Sequence, residues 1–221
     1  MHFELRVYWA YIAFLIDFLV LSDNTAKKYK NLIIDLRNNA GGDDSFSDYL
    51  VSYIANRPFK WSSKFQLKTS ALLKTNVRQT KDTTNAYWKS FLEHNNGEVY
   101  AYDFGYYEPQ PQIKRYQGNV YVLINRQSYS QSAVTASQIQ DYGFGQIVGE
   151  ETAEFPNLYA SIFSYALPKT GIVVDVSKGK IQRVKGIDTK KGVIPDIFIK
   201  DHLLDEKDEI LEEIIKKIEP R

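Results

Sequence analysis

The stretch Asn119–Thr152, NVYVLINRQSYSQSAVTASQIQDYGFGQIVGEET, decides how the rest of the chain is read. It opens on NVYVLIN (Asn119–Asn125), a β-branched apolar run that fits a strand buried on both faces of a sheet. A serine cluster follows, Ser128, Ser130 and Ser132. It leads into a helix predicted over Gln131–Tyr142, with Val134, Ile139 and several alanines on one face. QIVGEET (Gln146–Thr152) is then a further strand ending in a turn. A serine at a helix start is usually an N-cap, worth ~1 kcal/mol. A serine on a strand-to-helix turn is also how hydrolases expose a nucleophile, with the helix dipole and free amides facing the developing negative charge. The segment alone leaves both readings open.

Working upstream, NLIIDLR (Asn31–Arg37) is a second buried-strand pattern, and it stops at NNAGGDD, where Asn39, Gly41 and Gly42 signal a chain reversal. Paired glycines permit close backbone approach, so their amides can point together at one anion; an ordinary strand-to-helix turn is the plainer reading. Asp44 or Ser45 would cap a helix through Ser47–Ala55, with Phe46, Leu50, Tyr53 and Ile54 as its apolar stripe. Nearer the start, Tyr8–Phe14 reads as a strand and Leu15–Leu21 as the beginning of a helix. The apolar run Val7–Leu21 is interrupted by Asp17 and falls short of the ~20 residues of a spanning helix. MHFELR carries one acid and one base, and no A-x-A-like site follows, so neither a membrane span nor an export signal is expected.

Working downstream, SIFSYALP (Ser161–Pro168) and GIVVDVS (Gly171–Ser177) form a hairpin pattern. GVIPDIFI (Gly192–Ile199) is a last extended piece, and Asp205–Ile218 an amphipathic helix with Ile210, Leu211, Ile214, Ile215 and Ile218 on one face. Residues 57–117 break the pattern. They hold Trp61, Trp88, many tyrosines and the loop signals NNG and PQP, and read as an irregular insertion or lid. Their aromatics are expected to make a satellite hydrophobic cluster, with a substrate-gripping cover as the functional alternative. Strands alternating with helices elsewhere argue for a mixed α/β core.

The 221 residues suit one domain, and a hydrophobic fraction of 43% supplies a core. A net charge of +1 builds no basic field, so no nucleic-acid partner is expected. With no cysteine there is no disulfide, thiolate metal site or cysteine nucleophile, and the redox compartment stays undetermined. His2, His94 and His202 are not spaced as a helical zinc pair, and no metal is expected.

Taken together, the glycine and serine segments resemble a known family. IIDLRNNAGG is similar to the glycine-rich signature of C-terminal-processing and tricorn-core serine peptidases, and Asn119–Thr152 to their nucleophile segment, closing on a G-E-x-T turn. ALPKTGIVVDV and GVIPDIFI resemble the family's closing strands and its G-V-x-P-D ending. The resemblance covers nearly all of the chain except residues 57–117. It implies an α/β fold of the caseinolytic-protease and crotonase type, stacked β-β-α units over residues 1–221 with the irregular insertion, bringing the glycine turn beside the serine elbow. It implies Ser130 as a nucleophile forming an acyl-enzyme, and oxyanion donation from the amides of Gly41 or Gly42 and of Gln131. It further implies a peptide or protein substrate, no cofactor, and an extracytoplasmic site in the periplasm or cell envelope.

The departures from the family pattern bear on the base. The lysine that processing peptidases carry after the G-E-x-T turn falls on Phe155, and Lys169, Lys178 and Lys180 lie further along, outside the motif. Tricorn-like members use an acid near the G-V-x-P-D ending, for which Asp188 is the nearest match, and an upstream histidine whose place falls ahead of residue 1. The family's upstream helical region and PDZ module have no counterpart in the sequence. The expectation is therefore a peptidase core that is a fragment or holds an incomplete catalytic set; the alternative is a non-catalytic peptide-binding domain. An acyl-CoA enzyme of the wider superfamily is disfavoured, because that chemistry needs no serine elbow and no basic patch awaits a nucleotide.

Overall fold

The computed structural model describes residues 2–6, 28–186, 190–202 and 204–218. The two apolar runs that opened the sequence reading lie side by side. β2 (Asn31–Asp35) pairs in parallel with β5 (Asn119–Ile124), and β1 (His2–Arg6) pairs in parallel with the other edge of β2. β6 (Gln146–Gly149) and the short β9 (Ile197–Phe198) complete a five-stranded sheet in the order β1-β2-β5-β6-β9. A parallel sheet needs cover on both faces, which is why these strands are continuous apolar runs. Leu32, Ile34, Val122 and Ile124 face a layer containing α1 (Asp44–Ser52) and α4 (Gln131–Tyr142). Ile33, Leu123 and Val148 face α5 (Glu209–Ile218) through Ile210 and Ile214. Each fully buried Leu or Ile contributes roughly 1.5–3 kcal/mol.

The second sheet is antiparallel, in the order β4-β3-β8-β7. β7 (Tyr159–Ala166) and β8 (Val173–Gln182) form the expected hairpin. Residues 57–117, expected as an irregular insertion, instead hold β3 (Lys64–Lys68), α2 (Ala71–Thr80), α3 (Ala86–Glu93) and β4 (Val99–Tyr102), and β3 pairs directly with β8. The strand signal was hidden because KFQLK alternates over only five residues, with Phe65 and Leu67 buried and lysines at both ends. Ser70 and Asn85 cap the two helices. The aromatics do form a cluster, in which Trp61, Phe65, Phe91 and Leu158 pack against Val134 of α4, so α4 lies between the two sheets.

Other boundaries moved for local reasons. Asp43, not Asp44 or Ser45, caps α1 by accepting from the Ser45 amide. α5 starts at Glu209 rather than Asp205, and Asp208 accepts from the Leu211 amide. GVIPDIFI is strand only at Ile197–Phe198, because Val193 is held by the Thr152 side chain instead (Val193 N to Thr152 Oγ1, 2.8 Å). The strand and helix read over Tyr8–Phe14 and Leu15–Leu21 lie outside the described residues. Among the described residues no helix is long and apolar enough to cross a membrane.

Between α1 and α4 sits a buried carboxyl, Asp48, whose Oδ1 accepts from Gln138 Nε2 at 3.3 Å. Asp48 Oδ2 and Gln138 Oε1 have no partner among the described residues. Burial first, then the charges of Asp44 and Asp43, push Asp48 up to about 7. Because the folded state keeps a proton that the unfolded chain releases near pH 4, stability falls as pH rises between about 4 and 7 and levels off above. Asp48→Asn removes that ionisation and supplies an amide donor. It is expected to raise the thermal midpoint by several degrees near pH 8 and by much less near pH 5; an equal shift at the two pH values in a melt monitored by circular dichroism would refute the assignment.

Candidate active site

Because β2 and β5 are parallel neighbours, their C-terminal ends emerge side by side, and both feed helices. The two turns are tied by side chains that the sequence shows only as turn formers. The Asn38 amide donates to Asn125 Oδ1 (3.1 Å), and Asn125 Nδ2 donates back to Asn38 Oδ1 (2.9 Å). The Ser128 hydroxyl donates to the Leu36 carbonyl (2.8 Å) and accepts from the Asn125 amide (3.1 Å). Asn39 is the hub: its carbonyl accepts from the Tyr129 amide (2.9 Å), and its Oδ1 accepts from both the Gly41 amide (2.9 Å) and the Ser132 hydroxyl (2.6 Å).

That network separates the three serines. Ser128 and Ser132 are buried and structural. Ser130 occupies the N-cap position of α4 yet makes no capping hydrogen bond, and its backbone is at φ 52°, ψ −122°. Positive φ in a non-glycine residue costs on the order of 1–3 kcal/mol and persists only where surrounding structure imposes it. Here the imposition comes from the bonded residues on either side, Tyr129 and Ser132.

Gly41, at φ 86°, meets this elbow without a side chain. A Cβ there would lie 2.7 Å from the Gln131 nitrogen, 2.8 Å from Ser130 Cβ and 2.8 Å from the Tyr129 carbonyl. The glycine turn therefore touches the serine elbow. The Gly41 amide is spent on Asn39, whereas the amides of Gly42 and Gln131 have no acceptor among the described residues. The Gln131 side chain is anchored beneath, donating to Ser47 Oγ at 2.7 Å. Gly42, Ser130 and Gln131 open onto a cleft of about 620 Å³ whose opposite wall is aromatic, with Trp61, Tyr87, Trp88 and Phe104.

The ionisable groups distribute as follows. Asp43, Asp44 and Glu154 line the cleft; burial and then Asp43 raise Asp44 above the usual carboxylate range. His94 lies at the end of α3, stacked on Tyr100 at 3.5 Å with Nδ1 against the Ser90 carbonyl. His202 sits exposed between β9 and α5. Lys178 Nζ bonds Ser161, and no described residue hydrogen-bonds Ser130 Oγ. Phe155 is exposed, and Asp188 lies outside the described residues. Sequence reasoning missed Asn39, Asn125 and the cleft-lining Tyr87, Trp88 and Ser161; the pairing asparagines Asn38 and Asn125, each just past a buried strand, were the one signal available.

A family model, peptidase family S41, matches residues 18–199. The chain belongs to peptidase family S41. Solved structures share the fold of this S41 domain at low identity. Mature CPAF complexed with lactacystin aligns at 20% identity and TM-score 0.67, covering 97% of this chain and 50% of that one. The photosystem II D1 C-terminal processing protease aligns at 20% and 0.57, covering 96% and 45%. The tricorn protease aligns at 13% and 0.50, covering 98% and 17%. The S41 chain thus spans half or less of the length of each of these structures. No curated protein sequence matches it. The α/β caseinolytic-protease and crotonase-like architecture is the S41 architecture, and the chain carries a peptidase domain of that family.

Gly41→Ala places a methyl against two backbone atoms and Ser130 Cβ and strains φ as well. Overpacking of this kind costs about 1–3 kcal/mol. Gly97→Ala is the control, since Gly97 shares the positive φ (83°) but has nothing within 4 Å of its Cβ position. Urea unfolding should show the larger loss for Gly41→Ala; equal losses would mean the two turns are not in contact.

Proposed function

We propose that this S41 domain hydrolyses peptide bonds through an acyl-enzyme on Ser130. The observation that carries the reading is the convergence of a strained, uncapped serine with two unengaged amides, Gly42 and Gln131, at one end of a cleft. Ser130 Oγ attacks the scissile carbonyl carbon, and the carbonyl oxygen, now anionic, accepts from the Gly42 and Gln131 amides. Gly42 replaces Gly41 as the donor because the Gly41 amide is bound to Asn39. Each such donor is worth ~3 kcal/mol of barrier. α4 adds the partial positive charge of its N-terminus at the same point. The base comes from outside the described residues, in the tricorn-like arrangement of an upstream histidine oriented by Asp188, and a serine without such a base is a weak nucleophile. The family resemblance also supports an extracytoplasmic location.

A peptide-binding role for a base-deficient form has an observation of its own. β7 is an edge strand, and Tyr159–Ile162 of that edge line the cleft. An extended peptide adding to this edge would run past Ser130 with its backbone hydrogen-bonded.

The purified 221-residue chain is expected to turn over casein or extended peptides slowly, and Ser130→Ala to abolish that turnover while peptide binding persists. Turnover equal in wild type and Ser130→Ala would sink the nucleophile assignment. Fast Ser130-dependent turnover would instead show that a base within the chain serves it.

A further inference from the structure

Four non-glycine residues among those described have positive φ, and two of them are serines: Ser130 at 52° and Ser161 at 61°. Both line the same cleft. Ser161, on β7, is placed unlike an ordinary strand serine. Lys178 on β8 is buried and brings Nζ to 2.8 Å from Ser161 Oγ, 2.9 Å from the Ser161 carbonyl and 3.3 Å from the Ile162 carbonyl. The Tyr87 hydroxyl, from α3, sits 2.9 Å from the same Ser161 Oγ. Trp88 lies under the ammonium at 5.5 Å, closing it from water.

We propose that Ser161 is a second nucleophilic hydroxyl of this cleft, with Lys178 as its base and Tyr87 as a hydrogen-bond donor to its oxygen, and that it accepts acyl groups from carboxylic esters or peptides carried into the cleft. Nζ faces three oxygens, which an ammonium satisfies as three-fold donor and a neutral amine as two-fold donor and single acceptor. In the neutral amine the two N–H bonds of Lys178 satisfy the Ser161 and Ile162 carbonyls, which leaves its lone pair for the Ser161 O–H, and Tyr87 then donates to Oγ. In the step itself, the bond from Ser161 Oγ to the acyl carbon forms as the bond from that carbon to its oxygen or nitrogen leaving group breaks. The hydroxyl proton passes to Lys178 Nζ and from there to the leaving atom, with no change of oxidation state.

The surroundings bring the neutral form within reach of physiological pH. Burial first, then the charge of Lys81 beyond the end of α2, lowers Lys178 to about 8. On the α3 side it meets the Trp88 ring and, through Ser161, the Tyr87 phenol, itself pushed up to about 12 by burial; from β7 it meets only Ser161 and the Ile162 carbonyl. No carboxylate contributes to the Lys178 shift.

The test is adduct mapping with a fluorophosphonate on wild type, Ser130→Ala and Lys178→Met. Ser130 and Ser161 share a long tryptic peptide, whereas cleavage after Glu150, Glu151 and Glu154 separates them. The adduct on Ser161 should persist in Ser130→Ala, rise about tenfold per pH unit below a midpoint near 8, and fall about 100-fold in Lys178→Met. If Lys178→Met fails to fold by circular dichroism, the pH profile of Ser130→Ala decides alone. An adduct confined to Ser130 overturns this site and leaves the Ser130 reading standing; a Ser161 adduct indifferent to pH overturns Lys178 as its base. Labelling of Ser161 alone supports the second site and counts against the first.

Discussion

Asn39 holds the site together. One buried carboxamide oxygen accepts from Gly41 on one turn and from Ser132 on the other, 93 positions away, while the Asn39 carbonyl takes the Tyr129 amide. A buried acceptor left without its donors costs about 1–3 kcal/mol, so each turn is held in place by the hydrogen-bond needs of the other. This shared constraint leaves Ser130 strained between bonded neighbours and leaves the Gly42 and Gln131 amides facing the cleft. Aspartate could not replace Asn39 quietly, since a charge would be buried between the strand ends.

That clasp depends in turn on the parallel sheet. Parallel neighbours deliver successive strand-to-helix turns to the same edge, and ligand sites in open α/β sheets collect there for that reason. The register of β2 on β5, with Asp35 beside Leu123, puts Leu36, Asn38 and Asn39 within reach of Asn125 and Ser128. Arg37 fixes the opposite face. Its guanidinium bridges buried Asp35 and Asp208 ahead of α5, which sets where that helix docks more than how stable the domain is.

The second sheet turns an elbow into a cleft. α4 carries many polar side chains yet is buried on two sides, and most of them find partners: Thr135 bonds the Gln131 carbonyl, Ser137 the Val134 carbonyl, and the Gln138 Nε2 amide the Asp48 carboxyl. Val134 passes into the aromatic cluster under β3 and β8, so the wall opposite Ser130 is rigidly packed rather than a loose cover. The same wall holds Ser161, the second serine with imposed positive φ.

What the sequence by itself determined was carried by local, repeating signals. The continuous apolar runs of β2 and β5 announced strands covered on both faces, Gln131–Tyr142 emerged as a helix with its predicted limits, and the Gly-Gly and serine motifs in order pointed to the S41 fold. By residue type alone the three clustered serines are equivalent, because N-cap, clasp and elbow all select serine; the family resemblance pointed to Ser130, and contacts across the sheet assign Ser128 and Ser132 to the clasp. Gly41 and Gly42 were likewise equivalent until Asn39 occupied one amide. Residues 57–117 looked irregular because their strands are short and β3 ends in lysine on both sides, and their order comes from the pairing of β3 with β8, more than a hundred positions away in the chain. Helix and strand periodicity is a property of neighbouring residues, whereas hydrogen-bond partners and close backbone approaches are chosen by the packing of distant ones, and the site is made of the latter.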